Sequence, residues 1–277
     1  MKHLLGMVGG LLAKKTPAFY IDQGEKSLAA GNLAQAEKDF SKALELAEES
    51  KAYDAVALSS RQLGSICESL DKLAVAETHF RKAYQTHEDS EQHQASADCL
   101  MLLGKLYHKQ RRFPDAEQVL QYAMAIHQSH FGQRAPGIAK AASCLAESYL
   151  ARGNFQEAEK LLSRAVEIEE GLGQDPRQLA IDTFGLASAY AGQSKDKEAI
   201  AAFEKAGKYF DQVSAEFDAG LAHKACACWH HFGKFLAQRD KKQQAMAALQ
   251  KASTFADQFP GYLEEADLAE LKAKTGV

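Results

Sequence analysis

What most constrains the fold of this chain is an alanine that returns at near-constant intervals: Ala36, Ala76, Ala116, Ala158, Ala199 and Ala245. The spacings are 40, 40, 42, 41 and 46 residues. Twelve residues before each stands a small residue: Gly24, Gly64, Gly104, Ala146, Ala187 and Gly233. The position before that is Leu63, Leu103, Leu145 or Leu186 in the middle units, with Gln23 in the first and Phe232 in the last. Three residues after the small one come Tyr107, Tyr149 and Tyr190, and elsewhere Ser27, Cys67 and Leu236. Four residues after the alanine is a large apolar group (Phe40, Phe80, Leu120, Leu162, Phe203, Leu249), and three further on a second alanine (Ala43, Ala83, Ala123, Ala165, Ala206, Ala252). Self-similarity at such a period marks a repeat architecture, each unit a supersecondary motif that buries its apolar face against the next.

The offsets i, i+1, i+4 in the first half-unit and i, i+4, i+7 in the second each place apolar groups on one stripe of a helix. Each unit therefore reads as an antiparallel hairpin, helix A followed by helix B. Gly104 and Ala116 let the two backbones approach, while Tyr107 and Leu120 fill the flanking gaps. Gly31-Asn32 and Gly153-Asn154 mark turns, and Pro114 falls in the first turn of a helix B, where a missing N–H costs nothing. Unit five has Asp196 and unit six Lys242 where an apolar residue ends the turn elsewhere, which predicts looser hairpins there. Composition agrees: 49 alanines and 30 leucines stand against 14 valines and isoleucines together. That balance favours helices and leaves too few β-branched residues for a Rossmann domain, TIM barrel or β-sandwich.

The recurring small residue, Tyr, Ala, Phe/Leu and Ala resemble the tetratricopeptide repeat (TPR) over residues 17–260, and Trp229 sits where that family often carries Trp. The long period and the connectors Gly132–Ala139 and Gly173–Ala180 are similar to the kinesin light chain subtype. The resemblance implies an all-α, right-handed solenoid of six antiparallel hairpins. Residues 1–16 then form an N-terminal amphipathic segment. The segment 261–277, with Leu263, Ala266, Leu268 and Leu271, forms a C-terminal capping helix of the kind a solenoid needs at its end.

At a net charge of −4, the chain lacks the basic excess on which phosphate binding rests, so no nucleic-acid partner is expected. Lys109, Arg111 and Arg112 read as a solvated turn. Five scattered cysteines are not a disulfide framework and point to a reducing, cytoplasmic setting. Residues 1–15 carry Met1, Leu4, Leu5, Val8, Leu11 and Leu12 on one helical face but read poorly as a secretory signal. Three roles stay open for them: capping the first repeat, docking on a membrane or partner (the one route to membrane association), or fraying at Gly6, Gly9 and Gly10.

Motifs for catalysis or nucleotide binding are missing: there is no Gly-rich phosphate loop, no G-x-S-x-G and no H-E-x-x-H. No enzyme activity, cofactor or metal is expected. His223, Cys226 and His230 share a helix face but fall short of a four-ligand zinc set, so packing is the preferred reading. His127 and His130 read as polar residues near a helix C-terminus. Glu167, Glu169 and Glu170 read as a solvated face.

The resemblance also implies a concave groove lined by A helices. Carried over by position, it comprises Ile21, Glu25, Arg61, Ser65, Glu68, Asp98, Met101, Lys105, His108 and Lys109. Beyond these come Lys140, Ser143, Glu147, Leu150, Phe184, Ser188, His230 and Lys234. The site expected to matter most is Arg61, Met101, Lys105, His108, Lys109, Lys140, Glu147, Phe184 and Lys234. With two asparagines in the chain, Asn32 and Asn154, an Asn-rich carboxylate clamp is excluded. Arg61, Lys105, Lys109 and Lys140 beside Met101, Leu150 and Phe184 suit a protein or peptide segment with acidic and apolar side chains. The expected function is a non-enzymatic interaction scaffold. The alternative is a regulatory sensor whose groove takes a signalling peptide or small ligand. A groove filled by the N-terminal segment stays open beside both.

Overall fold

A computed structural model describes residues 16–173, 176–213 and 219–258. Among them are twelve helices. The A helices are α1 (Pro17–Ala29), α3 (Tyr53–Ser69), α5 (His93–Lys109), α7 (Pro136–Ala151), α9 (Pro176–Gly192) and α11 (Ala219–Ala237). The B helices are α2 (Leu33–Glu49), α4 (Leu73–Asp89), α6 (Phe113–Phe131), α8 (Phe155–Leu172), α10 (Asp196–Val213) and α12 (Lys242–Gln258). They pair as the six expected hairpins. The chain divides into two compact units, Met1–Phe131 and Gly132–Val277, with three hairpins in each. The expected N-terminal segment (residues 1–15) and C-terminal capping helix lie outside the described residues.

Sequence offsets translate directly into packing. The key alanines Ala36, Ala76, Ala116, Ala158 and Ala199 are all 0% exposed, and so are the second alanines of all six hairpins. Opposite them, Gly64 and Gly104 bring helix A close enough that an added Cβ would lie 2.5 Å from Phe80 and Leu120 respectively. The large apolar residue of helix B thus lies directly over the small residue of helix A. In unit 2 the largest core cluster gathers Phe203, Phe210, Trp229, Phe232 and Leu249, with the Phe203 and Phe232 rings stacked at 5.0 Å.

All six hairpin turns close in one way. The residue five before each key alanine is left-handed: Gly31 (φ 72°), Asp71 (57°), Arg111 (58°), Gly153 (74°), Ser194 (59°) and Asp240 (58°). The next residue's N–H then reaches back to the carbonyl five residues earlier, as in Lys72 N to Cys67 O (2.8 Å) and Arg112 N to Tyr107 O (2.8 Å). This is the Schellman closure of a helix end. The same bonds, Lys195 N to Tyr190 O (3.0 Å) and Lys241 N to Leu236 O (3.1 Å), close units five and six. Those hairpins are closed despite Asp196 and Lys242, because backbone bonds and the buried alanines hold them rather than an apolar turn residue. Pro17, Pro136 and Pro176 open α1, α7 and α9, and Pro114 lies in the first turn of α6, as expected from their missing N–H.

Consecutive hairpins are also latched by charge. Lys72 donates to Glu37 (2.8 Å), Arg112 to Glu77 (2.7 Å) and Lys195 to Glu159 (2.6 Å). Each base lies four residues before a key alanine and each acid one residue after the preceding one. Around Glu77 the latch is a network: the Tyr107 hydroxyl donates to its Oε1 (2.9 Å), and the Arg112 guanidinium lies over the Tyr107 ring at 4.3 Å. Arg112 is therefore not the solvated surface charge expected from its turn position. It bonds Asp115 (2.7 Å) as well as Glu77.

Candidate functional site

In unit 1 the expected groove residues lie on α3 and α5. Arg61 is exposed and, with Asp98, borders a cavity of about 230 Å³ whose other walls are Asp54, Leu58, His87, Gln92 and Ala95. Gln92 donates to Asp54 (2.8 Å) and contacts His87 Nδ1 (2.6 Å), so three of the polar side chains that line this cavity are bonded to one another. Along α5, Met101 is half-buried and Lys105 exposed. His108 is half-buried, its ring edge-on to Phe113 at 5.6 Å. Lys109 donates to the Glu68 carbonyl (3.3 Å) and lies 3.8 Å from Asp71, tying α5 back to the end of α3.

In unit 2, five residues assigned to the groove by repeat position converge. Ser143, Glu147 and Leu150 on α7 meet Phe184 and Ser188 on α9 around one cavity of about 170 Å³. Leu162, Ile181, Asp182, Gly185 and Lys224 complete it. Leu150, Leu162, Ile181 and Phe184 make an apolar wall. Glu147 and Lys224 form an ion pair across α7 and α11 at 3.3 Å. Phe184 is fixed from behind by Phe203 (centroids 6.2 Å) and edge-on by His231 (5.7 Å). Lys140 is exposed one turn before Ser143, and Lys234 is half-buried on α11; both lie outside this cavity. Lys224 and Ile181 were not anticipated, because the repeat pattern marks stripes rather than their neighbours.

Asp182 was not anticipated either, and Glu169 corrects an expectation. Far from a solvated face, Glu169 on α8 is 4% exposed, and Asp182 on α9 is 2% exposed. Their carboxyl groups face each other within hydrogen-bonding reach. Ser143 donates to Asp182 Oδ2 (2.6 Å) and Gln178 to Oδ1 (2.9 Å), while Glu169 Oε2 has no hydrogen-bond partner. Burial pushes the Glu169 carboxyl up to about 8, reinforced by the charge and proximity of Asp182, with Lys140 pulling back. Burial also raises Asp182, to about 6. The bonds from Ser143 and Gln178, and the facing Glu169, hold it down, and the Glu147 charge pushes it up. Asp182 already accepts from Ser143 and Gln178, whereas Glu169 Oε2 accepts from nothing, so the proton of the pair rests on Glu169.

One histidine expectation changes as well. His127 is buried rather than a polar helix-end residue, whereas His130 is exposed in the last turn of α6 as expected, and stacks on His93 with centroids 3.6 Å apart. Cys226 and Cys228 are both buried, and Cys226 Sγ donates to the Ala252 carbonyl (3.4 Å), consistent with packing.

Stacked A/B hairpins with small-over-large contacts define a helical-repeat protein. Residues 17–173 match the MalT-like TPR region, more than half of the chain, and the chain belongs to that tetratricopeptide family. No curated protein matches it in sequence. Among solved structures it is similar to BtubC (BKLC) from P. vanneervenii, at 17% identity and a TM-score of 0.72, over 84% of this chain and 94% of that one. A Rap protein complexed with Competence and Sporulation Factor aligns at 16% identity and TM-score 0.60, over 94% and 74%. A Podosopora anserina protein with kinesin light chain-like TPR repeats aligns at 17% and 0.58, over 72% and 94%. These likenesses show the fold. The family match is to the MalT-like model, so the chain is assigned to the TPR family, and its likeness to the kinesin light chain subtype stays a resemblance of period and connectors. Among the described residues, no helix is long and apolar enough to cross a membrane.

Proposed function

We propose that the chain is a non-enzymatic interaction scaffold that holds a peptide or helical segment of a protein partner against its A helices. The observation that carries this reading is the convergence of Ser143, Glu147, Leu150, Phe184 and Ser188, from two successive A helices, on one cavity with an apolar wall and a charged rim. Such a cavity suits one apolar anchor of a partner with polar contacts around it. In unit 1, the exposed Arg61 and Lys105 suit acidic side chains of the partner. The Rap protein with bound Competence and Sporulation Factor is an instance of this fold in complex with a factor.

A peptide library presented to the intact chain tests the proposal. Acidic peptides with a large apolar residue should be selected. Lys105→Glu with Lys140→Glu should weaken their binding by about tenfold or more and flatten its salt dependence. Unchanged binding refutes the assignment. The cavity's size, that of a single side chain or small ligand, also favours a second reading, a regulatory sensor for a signalling peptide or small molecule. A ligand-induced change in solution scattering selects it over the scaffold.

A further inference from the structure

We infer that the cavity of unit 2 is proton-gated: the Glu169–Asp182 pair beneath it holds one proton while α7, α8 and α9 are packed, and losing that proton loosens the three helices around the cavity. The link from packing to binding rests on the reading of the cavity as a partner site; the gating itself does not.

The positions of the two acids show that packing alone does not call for them. Asp182 lies five residues before the small residue of its unit. At that position four of the five other hairpins place Ser59, Cys99, Ala141 and Cys228, all small, uncharged and buried, and the first places the exposed Phe19. Glu169 lies four residues after the second alanine, where others place Ala47, His87, His127, Phe210 and Ala256. The same hairpin geometry is therefore reached elsewhere without a carboxyl at either place. Two buried carboxyls facing each other cannot both ionise without strong mutual repulsion, so the pair retains a proton. Ser143 and Gln178 stabilise Asp182 as the carboxylate, so the proton rests on Glu169.

The groups around the pair set what deprotonation does. From α7 face Ser143, Glu147 and the exposed Lys140, and from α9 Gln178. Lys224 on α11 lines the same cavity but is engaged by Glu147. On α10, the core beside α9 is Ala199, Ala202, Phe203 and Ala206. When the proton leaves, through the cavity that Asp182 borders, Glu169 becomes a second buried anion whose Oε2 has no hydrogen-bond partner. An unpaired buried charge of this kind is strongly unfavourable. The helices gain by parting enough to admit water, and the cavity between them changes shape.

For an acid whose pKa is raised by folding, the stabilisation is fully present below the unfolded carboxylate range, near 4, and is lost as pH rises through the folded value. The window here runs from about pH 5 to about 8. Hydrogen exchange of the full chain across that window, corrected for the intrinsic rate, measures it. Peptides from α7, α8 and α9 should show an opening equilibrium that rises by up to about tenfold per pH unit for the one proton released. Glu169→Gln should flatten that slope, and α3–α5 in unit 1 should show none. Equal slopes in wild type and variant overturn the inference. Infrared spectroscopy of the wild type gives a test that needs no variant: a protonated-carboxyl band present at pH 6.5 and lost by pH 9.5 is expected, and its absence at pH 6.5 overturns the assignment. Failure of peptide binding with an intact pH slope sinks the scaffold reading alone; intact binding with no slope sinks the gating alone.

Discussion

Gly104→Ala tests the close approach of helix A to helix B. A methyl group there would lie 2.5 Å from Leu120 Cγ and 2.6 and 2.9 Å from its two methyls. Ordinary carbon contacts are about 3.5–4.0 Å, so Leu120 or the backbone must yield by about 1 Å. Leu120 is fully buried, with no solvent side to retreat to. Overpacking of this kind costs about 1–3 kcal/mol. Replacing a mid-helix glycine by alanine returns about 0.5–1 kcal/mol of backbone entropy. The net expectation is a loss of about 1 kcal/mol, read as a lower urea midpoint by far-UV circular dichroism. The decisive comparison is a double-mutant cycle with Leu120→Ala. In that background the new methyl enters vacated space, and Gly104→Ala should become neutral or stabilising. An equal penalty in both backgrounds would refute the reasoning. So would a stabilised single variant, which would mean the hairpin widens freely to the spacing held around Ala146.

Two further perturbations follow from the turns and latches. Ser194→Gly removes a left-handed L-residue and should stabilise unit 2 by about 0.5–1 kcal/mol in the same urea assay; a loss of stability would show that Ser194 carries no backbone strain. Burial alone would raise the Glu77 carboxyl, but hydrogen bonds from Tyr107 and Arg112 outweigh it and the net shift is downward. A lowered carboxylate pKa contributes stability above the ordinary carboxylate range that is lost as pH falls through the folded value. Glu77→Ala should therefore cost about 1–2 kcal/mol at pH 7, with the gap from wild type closing by pH 3. A gap that persists at pH 3 would assign the loss to packing.

The hairpins were legible because their packing is written at fixed offsets. Ala116, Leu120 and Ala123 lie on one helical stripe, and the same stripe returns in every unit. Turn geometry was only half legible: Gly31 and Gly153 announce a left-handed residue, whereas Asp71, Arg111, Ser194 and Asp240 adopt it without announcing it. Arg112 looked solvated because its partner Glu77 lies 35 residues away, yet Lys72 with Glu37 repeats that separation and a search by register would have found both. Within the candidate site, Ser143, Glu147 and Phe184 came from repeat position alone. Glu169 and Asp182 did not, because Glu-Ile-Glu-Glu carries the pattern of an exposed face. Whether an acid is buried is decided by which neighbouring helix covers it, and no single stripe records that.

In unit 1, helices α2 to α6 begin at residues 33, 53, 73, 93 and 113, one every 20 residues. Each packs mainly on its sequence neighbours. Every interface there therefore closes a short loop of chain, and the entropy of closure is small at each step. A chain so connected can start folding at whichever hairpin forms first and extend outward by adding single helices, with rates typical of local topology rather than of paired distant strands. Damage stays equally local: a hairpin that fails to close exposes the faces of its two neighbours and leaves the others paired.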